Sequence, residues 1–486
     1  MRRELDALAA RQWDVLVVGG GIHGAAVAWD AAQRGLAVAL VEREDFGAGT
    51  SWNSLKTIHG GMRHLQRLDV GSLRESARER STLLRIAAPL VAPLGFLVPC
   101  YGHGARGRAA FALGLALQDA LTRDRNRGLP PERSIPDGRT VGAAEALRLR
   151  PGLEPRGLTG AAFWHDAQVR SSERLLLAFV HAAADAGAAV ANHAEALELL
   201  RANGRVAGAA VRDALSGRTL ELRARLVVNA AGPWADALDA KGGAARAPLP
   251  MLRARNLVLR RPGELAFAVG SRSGGRFLFL VPWQGRAIVG TAYEAADQPA
   301  SAPRLFLEDA ARAFPWAGIG SGDLLLVHEG LVPGERDAAG LFTRGRIVDH
   351  EAEGRAAGLL TLQPVKYTTA RAFAEQAVDR ALARLARPAV ACRTAVTPLA
   401  RAEAPSGTLE ERARRAVRDE MAATLADAVL RRLDLGSAGP PAADDLARVA
   451  RAMAQELGWD EARERSERAA LAAFFARGGG ASSLLE

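Results

Sequence analysis

The sequence predicts an α/β fold with several domains, on three observations. The first is length, because 486 residues exceed the roughly 100–200 residues of a typical domain about threefold. The second is composition: 49% of the residues are hydrophobic and 24% are charged, which excludes wholesale disorder, a collagen and a coiled-coil rod. The third is a β-branched run at 14–18, DVLVV, followed at once by a glycine-rich turn and a helical pattern. Such a run is typical of a strand buried on both faces of a parallel sheet.

The net charge of +10 comes almost wholly from arginine. Lys and Arg together number 64 against 54 Asp and Glu, and lysine stands only at positions 56, 241 and 366. A basic protein can bind nucleic acid, but this requires a basic patch. The arginines are instead scattered among acids along helical stretches. We therefore expect no nucleic-acid partner.

Cysteine usage and hydropathy indicate the compartment. Cys100 and Cys392 lie far apart and form neither a CxxC motif nor a disulfide framework, so we expect no metal and a reducing environment. The first residues lack the apolar run of a signal peptide. No run of about 18 apolar residues is present, and 86–100 is interrupted by three prolines. We expect a cytoplasmic protein that contacts at most the inner face of the cell membrane.

A fingerprint motif follows the first predicted strand. It reads Gly19-x-Gly21-x-x-Gly24, and the next strand, LAVALVE, ends on Glu42. Gly19 would allow the tight turn, Gly21 the approach of backbone amides to a pyrophosphate, and Gly24 close packing of helix on strand. The helix N-terminus would bind the phosphates, and Glu42 would accept hydrogen bonds from ribose hydroxyls. The spacing predicts a Rossmann-like dinucleotide-binding domain.

The next segment, 47–65, reads GAGTSWNSLKTIHGGMRHL. Its hydroxyl side chains can form hydrogen bonds along a cofactor, and Gly60 and Gly61 let backbone lie against a flat ring. The alternative is a Ser/Gly loop that only leads into a helix. The segment resembles the TSxxSxK…IHGGxRYL pattern of the FAD-dependent glycerol-3-phosphate dehydrogenases, within the D-amino-acid-oxidase-like flavoprotein superfamily. The matching positions are Thr50, Ser51, Ser54, Lys56, Ile58, His59, Gly60, Gly61, Arg63 and Leu65.

The resemblance continues along the chain. The stretch 163–180 resembles the family's entry into a helix, and 227–236, VVNAAGPWAD, resembles its second dinucleotide-contacting strand. The stretch 277–294 reads as two strands of the family's substrate-domain sheet, and 420–460 resembles its C-terminal helices. The resemblance therefore implies a Rossmann-like FAD-binding domain, an antiparallel-sheet substrate domain and a C-terminal helical cap.

The resemblance also implies domain boundaries and a cofactor site. We expect a discontinuous FAD-binding domain at 1–65, 151–236 and 340–394, a helical excursion at 66–150, a substrate domain at 237–339 and a helical domain at 395–486. FAD would be held by a set of small, hydroxylated and charged residues: Gly19, Gly21, Gly24, Glu42, Thr50, Ser51, Ser54, Lys56, His59, Gly60, Gly61, Ala230, Ala231, Gly232, Lys366 and Thr368.

The chemistry that the resemblance implies is hydride transfer from a small alcohol, glycerol 3-phosphate or a relative, to flavin N5. Arg63 resembles a family arginine that holds the substrate phosphate. His59 and His64 are candidate bases, although His64 stands where the family has Tyr and a lone histidine is often structural. Lys366, in TLQPVKYTTARAF, aligns with the lysine of the family's GGKLTT motif and would stabilise charge on the reduced ring.

Three departures from the family concern the substrate side. Val332 stands where a second phosphate-binding arginine is expected, Asn256 where a catalytic histidine is expected, and Pro364-Val365 replaces two glycines. Losing a cation from a phosphate site costs about 1.5–3 kcal/mol per charge-assisted hydrogen bond. Arg253, Arg255 or Arg336 would have to compensate. We therefore hypothesise that FAD binding is retained while the substrate has changed to a less anionic alcohol or amine.

Alternative functions remain open from the sequence. One is an amine or amino-acid oxidase of the same superfamily, and another is a non-catalytic flavin-binding protein. The region from 86 to about 121 resembles the family's membrane-facing part, where electrons leave for a quinone, and Arg106, Arg108 and Phe111 would form an interfacial patch. The alternative for this region is a buried helix pair.

Overall fold

The structure, a computed structural model, describes residues 1–104, 107–260, 267–273, 276–335, 340–402 and 406–476. The strands within these ranges are β1 Gln12–Val18, β2 Val38–Val41, β3 Thr57–Ile58, β4 Val91–Tyr101, β5 Arg139–Gly142, β6 Leu158–Val169, β7 Ala189–Ala191, β8 Ala194–Ala202, β9 Arg205–Asp213, β10 Thr219–Asn229, β11 Met251–Leu259, β12 Ala268–Ser273, β13 Arg276–Trp283, β14 Arg286–Ala295, β15 Leu324–Glu335, β16 Gly340–Leu341, β17 Arg346–Asp349 and β18 Leu359–Gln363.

The α-helices alternate with strands in the first part of the chain and dominate the last part. They are α1 Leu5–Ala9, α2 Ile22–Gln33, α3 Val70–Ile86, α4 Arg108–Leu121, α5 Ala143–Leu149, α6 Ser172–Asp185, α7 Ala235–Lys241, α8 Pro303–Ala313, α9 Ala370–Arg384, α10 Leu409–Glu420, α11 Ala443–Leu457 and α12 Glu461–Ala476. A 3₁₀ turn spans Met62–Arg67, and a π-helical turn spans Asp427–Arg432.

The first sheet is parallel at its centre, in the order β17-β18-β10-β1-β2-β7, with the hairpin β8–β9 attached to β10. The pairs β1–β2, β1–β10, β2–β7 and β10–β18 are parallel, whereas β17 and β9 pair antiparallel with β18 and β10. Helices α2, α6 and α9 cover one face with an apolar core. Because β1 lies between β2 and β10, the carboxyl ends of these three strands form one crevice, the usual ligand position in such sheets. The predicted Rossmann-like domain is confirmed.

The second sheet is mostly antiparallel, in the order β16-β15-β11-β14-β13-β12-β4-β6-β3, with β5 on β6. This confirms the expected antiparallel sheet, but its composition differs from our expectation. The segment 66–150 is not purely helical, since its strand β4 pairs with β6 along its whole length. Pro93 and Pro99 exclude a helix there and favour extended backbone. Strand β6, which we expected in the flavin domain, also belongs to this sheet.

The C-terminal part is helical, as expected. Helices α10 to α12 and the π-helical turn pack against the second sheet in a shared apolar core that includes Trp52, Phe96 and Leu430. Leu471 and Phe474 of the last helix complete this core. The cap thus buries apolar surface of the sheet and of the segment that follows the fingerprint. No helix among the residues placed by the structure is long and apolar enough to cross a membrane.

Candidate active site

A cavity of about 420 Å³ lies where the carboxyl ends of β1, β2 and β10 face the second sheet. Ten predicted site residues line it: Gly19, Gly21, Glu42, Thr50, Ser51, Ser54, Ala230, Ala231, Gly232 and Lys366. Eight others do not: Gly24, Lys56, His59, Gly60, Gly61, Arg63, His64 and Thr368. The substrate sheet contributes Asn256, Thr291, Tyr293, Leu331 and Val332 to the wall. The cavity therefore joins the fingerprint to the substrate domain.

The fingerprint glycines are required by close backbone contacts. Gly19 has φ +107°, and a Cβ there would lie 2.5 Å from the carbonyl oxygen of Ala230. A Cβ on Gly24 would lie 1.9 Å from the carbonyl oxygen of Gly19. Gly21 is the N-cap of α2, so the positive end of this helix faces the cavity. Glycine at these positions allows β1, β10 and α2 to pack closely. The N-terminus of α2 at the cavity then suits an anion.

Glu42 follows directly after β2, at the cavity wall. Its carboxylate accepts hydrogen bonds from the backbone N–H groups of Gly20, at 2.6 Å, and Glu44, at 3.0 Å. Burial nevertheless raises its pKa. The carboxylate is thus held rigidly at the carboxyl edge of the sheet, where a hydrogen-bond acceptor for a ribose is expected in this fold.

The hydroxyl groups after the fingerprint hold protein segments together at the cavity. Ser51 Oγ accepts a hydrogen bond from Ile22 N at 3.0 Å, next to the N-terminus of α2. Thr50 Oγ1 donates to the carbonyl of Leu331 at 3.0 Å and accepts from its N–H at 3.2 Å. Thr50 therefore joins the flavin domain to strand β15.

Lys56 has a different place from the one we expected. Its side chain is 0% exposed, and its Nζ donates to Trp52 O, Ser172 Oγ and Glu173 Oε1 at 2.8, 2.8 and 2.7 Å. These three bonds use all three protons of the ammonium group. Lys56 therefore forms a buried ion pair with Glu173 at the start of α6. We do not expect its ammonium group to contact the cofactor.

His59 and Gly60 belong to a second polar cluster, which is centred on the buried carboxylate of Asp166. The Asp166 carboxylate contacts His59 Nδ1 at 3.0 Å and accepts from Gly60 N at 2.7 Å and from Arg80 at 2.6 Å. A Cβ on Gly60 would lie 2.2 Å from the Arg80 guanidinium. Gly60 is thus needed for protein packing, while His59 is oriented by a carboxylate and remains 45% exposed.

Arg63, His64 and Lys366 form a cationic cluster beside the cavity. Lys366 Nζ lies 2.5 Å from His64 Nε2. Burial, followed by the charge of Lys366, lowers the pKa of His64 to about 4, and burial, followed by the charge of Arg63, lowers the pKa of Lys366 to about 8. At neutral pH His64 is therefore the neutral acceptor and Lys366 the charged donor. Within the part of the chain that the structure describes, the Arg63 guanidinium has no hydrogen-bond or carboxylate partner.

Thr368 lies next to this cluster in sequence, and helix α9 begins two residues later. The side chain is buried. Because Lys366 and the N-terminus of α9 are adjacent, a cation and a helix dipole both favour negative charge here. This is the arrangement expected beside the pyrimidine edge of a flavin, although the contact itself stays a prediction.

Asn256 and Val332 line the cavity at the positions where the family has histidine and arginine. Asn256 Oδ1 accepts a hydrogen bond from Thr291 Oγ1 at 2.7 Å. Arg253 and Arg255 do not line the cavity, because both form ion pairs with Glu329, at 3.2 and 2.6 Å. Their proposed compensation is therefore wrong.

Arg336, the third residue proposed to compensate, lies outside the described residues. Side chains alternate between the faces of a strand. Ala254 and Asn256 of β11 therefore line the cavity, while Arg253 and Arg255 lie on the opposite face. Among the predicted site residues that the structure describes, the cations near the substrate side are Arg63 and Lys366.

Two residues of the site were missed by our reading of the sequence. Tyr293 of β14 lines the cavity near Arg63, and burial raises the pKa of its phenol. Trp234 also lines the cavity and stacks on the Arg43 guanidinium at 3.9 Å from its ring centroid. The stretch that contains Tyr293 was identified as a strand, and its alternation with Thr291 could have placed the phenol on the cavity face.

The residues fit FAD. A helix N-terminus suits the diphosphate, the Glu42 carboxylate suits ribose hydroxyls, and a Cβ added to Gly232 would meet nothing within 4 Å, so this backbone is open to a ligand. Lys366 and the start of α9 would stabilise a reduced ring. No cluster of potential metal ligands occurs in the ranges that the structure covers.

The chain belongs to the FAD-dependent oxidoreductase family, DAO, which matches residues 14–344. The C-terminal domain of alpha-glycerophosphate oxidase matches residues 364–464. The predicted family, the FAD cofactor and the assignment as an enzyme are confirmed. The match of the second domain also confirms the helical C-terminal unit.

Several relatives are named glycerol-3-phosphate dehydrogenase. The relative from Synechocystis is 31% identical over 82% of this chain and 75% of its own length. The relative from Mycobacterium bovis is 35% identical over 77% of this chain and 64% of its own length, less than two thirds. The structure of the glycerol-3-phosphate dehydrogenase from Bacillus halodurans, complexed with FAD, has a TM-score of 0.73 at 23% identity, covering 96% of this chain and 95% of that one. This last likeness shows a shared fold.

Proposed function

We propose that the protein oxidises glycerol 3-phosphate or a closely related phosphorylated alcohol and passes the electrons to a quinone or another acceptor. FAD, when bound, supplies the hydride acceptor. The observation that carries the proposal is the cationic cluster of Arg63 and Lys366 beside a cavity that the substrate sheet closes. Its presence favours an anionic substrate and argues against our hypothesis of a less anionic one.

Arg63 and Lys366 would bind the phosphate group. A guanidinium binds phosphate oxygens through two parallel hydrogen bonds, and an ammonium adds a point charge. His64 accepts a hydrogen bond from Lys366 and so fixes the direction of the ammonium group. Tyr293, on the facing strand, would close the pocket with a phenol that stays protonated at neutral pH, because burial raises its pKa.

Neither candidate base lines the cavity, and of the two His59 is better suited than His64 to remove the hydroxyl proton. The Nε2 atom of His64 is already bound by Lys366. His59 instead uses Nδ1 for Asp166, which leaves Nε2 as the proton-accepting atom of the ring. The carboxylate at Nδ1 also holds the ring in one orientation.

An anaerobic flavin-bleaching assay tests the proposal. We expect glycerol 3-phosphate to bleach the flavin of the holoenzyme and glycerol to do so far less, because glycerol lacks the phosphate. Bleaching by glycine, sarcosine or proline but not by glycerol 3-phosphate would contradict the proposal and favour an amine oxidase. Peroxide formation in air would favour an oxidase, and no bleaching by any substrate a non-catalytic flavoprotein.

The role of Arg63 can be separated from folding. Arg63→Gln should raise KM for glycerol 3-phosphate about 10–100-fold, the equivalent of about 1.5–3 kcal/mol, and leave KM for glycerol unchanged. Arg67→Gln, a neighbouring exposed arginine, is the matched control. Equal effects of both variants would show that the local charge alone matters.

The second part of the proposal is peripheral membrane contact through α4. Leu113 is 73% exposed and Leu117 is also exposed, so the helix is not half of a buried pair. Arg108 and Arg123 at its two ends would favour an anionic surface. Leu113→Ser with Leu117→Ser should weaken sedimentation with phosphatidylglycerol vesicles and leave flavin bleaching unchanged, and unchanged sedimentation would contradict the contact.

A further inference from the structure

A polar groove of about 300 Å³ lies between α3 and the end of α4, and it shares no lining residue with the FAD cavity. Five arginines line it against one carboxylate, that of Asp124. The arginines are Arg74, Arg78, Arg85, Arg125 and Arg127. In α3 the spacing of residues 74, 78 and 85 places their side chains on one helix face.

Two of the five guanidinium groups are neutralised by neighbouring acids. Arg74 pairs with Asp124 at 3.4 Å and donates to Leu121 O at 2.8 Å. Arg125 pairs with Asp119 and Asp137. These two arginines stabilise the C-terminal end of α4 and the loop after it, so they build the floor of the groove.

The other three arginines have no carboxylate partner among the residues for which the structure gives positions. Arg85 donates to neutral oxygens, the backbone carbonyls of Arg127 and Ala395 at 3.3 and 3.0 Å and the Thr82 hydroxyl at 3.5 Å, and its Nε is buried without a partner. The guanidinium groups of Arg78 and Arg127 are exposed and have no hydrogen-bond partner in the described structure. Three uncompensated cations thus converge on one cavity.

We propose that this groove is a second anion site, which binds a phosphate group. Guanidinium groups bind phosphate oxygens in pairs, and three of them suit a dianion better than a single carboxylate. The hydroxyl groups of Ser81 and Thr82 line the same wall, and a volume of about 300 Å³ accommodates one phosphate with a small organic substituent. The phosphate can come from a soluble ester or from a lipid headgroup, since α4 also carries exposed leucines.

The test uses holoenzyme and the double variant Arg78→Gln with Arg127→Gln. The control double variant, Arg2→Gln with Arg451→Gln, removes two exposed arginines from other elements and so matches the change in net charge. Binding of inorganic phosphate is measured by equilibrium dialysis, and binding of vesicles by sedimentation, with phosphatidylglycerol or phosphatidylcholine. The flavin absorbance of each purified variant shows that it is folded, and bleaching by glycerol 3-phosphate tests the proposed function independently.

If the groove variant weakens the binding of inorganic phosphate at least tenfold and the control variant does not, the groove is a site for a soluble phosphate ester. If instead the protein binds phosphatidylglycerol vesicles but not inorganic phosphate, and only the groove variant weakens this binding at least tenfold, the groove is a site for a lipid headgroup. If the two double variants behave alike in both measurements, the proposal is overturned, whether or not glycerol 3-phosphate bleaches the flavin.

Discussion

Arg432 of the C-terminal domain and Asp45 of the flavin domain form a fully buried ion pair. The guanidinium donates to both carboxylate oxygens, at 2.5 and 2.6 Å, and both side chains are 0% exposed. Arg431 adds a further bond to Asp45 at 2.5 Å, and the neighbouring Asn192 adds one at 2.9 Å. Since Asp45 lies three residues after Glu42, the cap holds the segment that we expect to contact the ribose of FAD.

Arg432→Met should destabilise the protein by about 3–5 kcal/mol, because it leaves the buried Asp45 carboxylate with too little countercharge. It should also weaken FAD binding. Thermal unfolding and FAD dissociation of the holoenzyme measure both effects. Arg448→Met is the control, because Arg448 pairs with Glu410 at the surface, where an ion pair contributes about 0–1 kcal/mol. Equal losses in the two variants would show that the buried pair is unimportant.

Gly24→Ala should abolish FAD binding, since its Cβ would lie 1.9 Å from the carbonyl oxygen of Gly19. The same change at Gly114, also inside a helix, meets nothing within 4 Å and should stabilise α4 by about 1 kcal/mol. The flavin absorbance of each purified variant is the measurement. A Gly24→Ala protein that retains its flavin would contradict the close packing of α2 on β1.

The pH dependence of kcat/KM for glycerol 3-phosphate should report Lys366. Its pKa is lowered to about 8, so the ammonium loses its proton as the pH rises through about 8, whereas the substrate phosphate is already a dianion above pH of about 6. We expect kcat/KM to fall above pH 8. Lys366→Arg should remove this fall, because a guanidinium stays protonated. A pH profile that is identical in both proteins would exclude Lys366 as its cause.

His193 should make stability depend on pH. Its Nε2 lies 2.8 Å from Asp427 Oδ2, and this contact raises its pKa above 6.5 although burial opposes the shift. A raised pKa means that the stabilisation is full below the unfolded-state value of about 6.5 and is lost as the pH rises through the higher folded-state value. His193→Asn should therefore lower the unfolding temperature more at pH 6 than at pH 9. His103→Asn, at an exposed position, should show no such difference.

The sequence predicts those parts of the site that depend on local spacing. The fingerprint and the acid after β2 lie within about 25 residues, so their geometry follows from one strand–helix–strand unit. Lys56 shows the limit of this reasoning. Its position in a motif does not reveal that it forms an ion pair with Glu173, which lies 117 residues away in the sequence. Strand β4 was missed because an apolar run with prolines does not by itself distinguish a strand from other extended or helical segments.

The ion pair between Asp45 and Arg432 joins positions 387 residues apart, and it has a consequence for synthesis. Domains fold from the N-terminus while the ribosome still makes the rest of the chain. Here the fingerprint emerges first, yet the parallel strand β18 and the cap that complete its surroundings emerge last. A nascent chain therefore exposes an unfinished nucleotide crevice until β18 and the cap have been made, and we expect stable flavin binding only after that point.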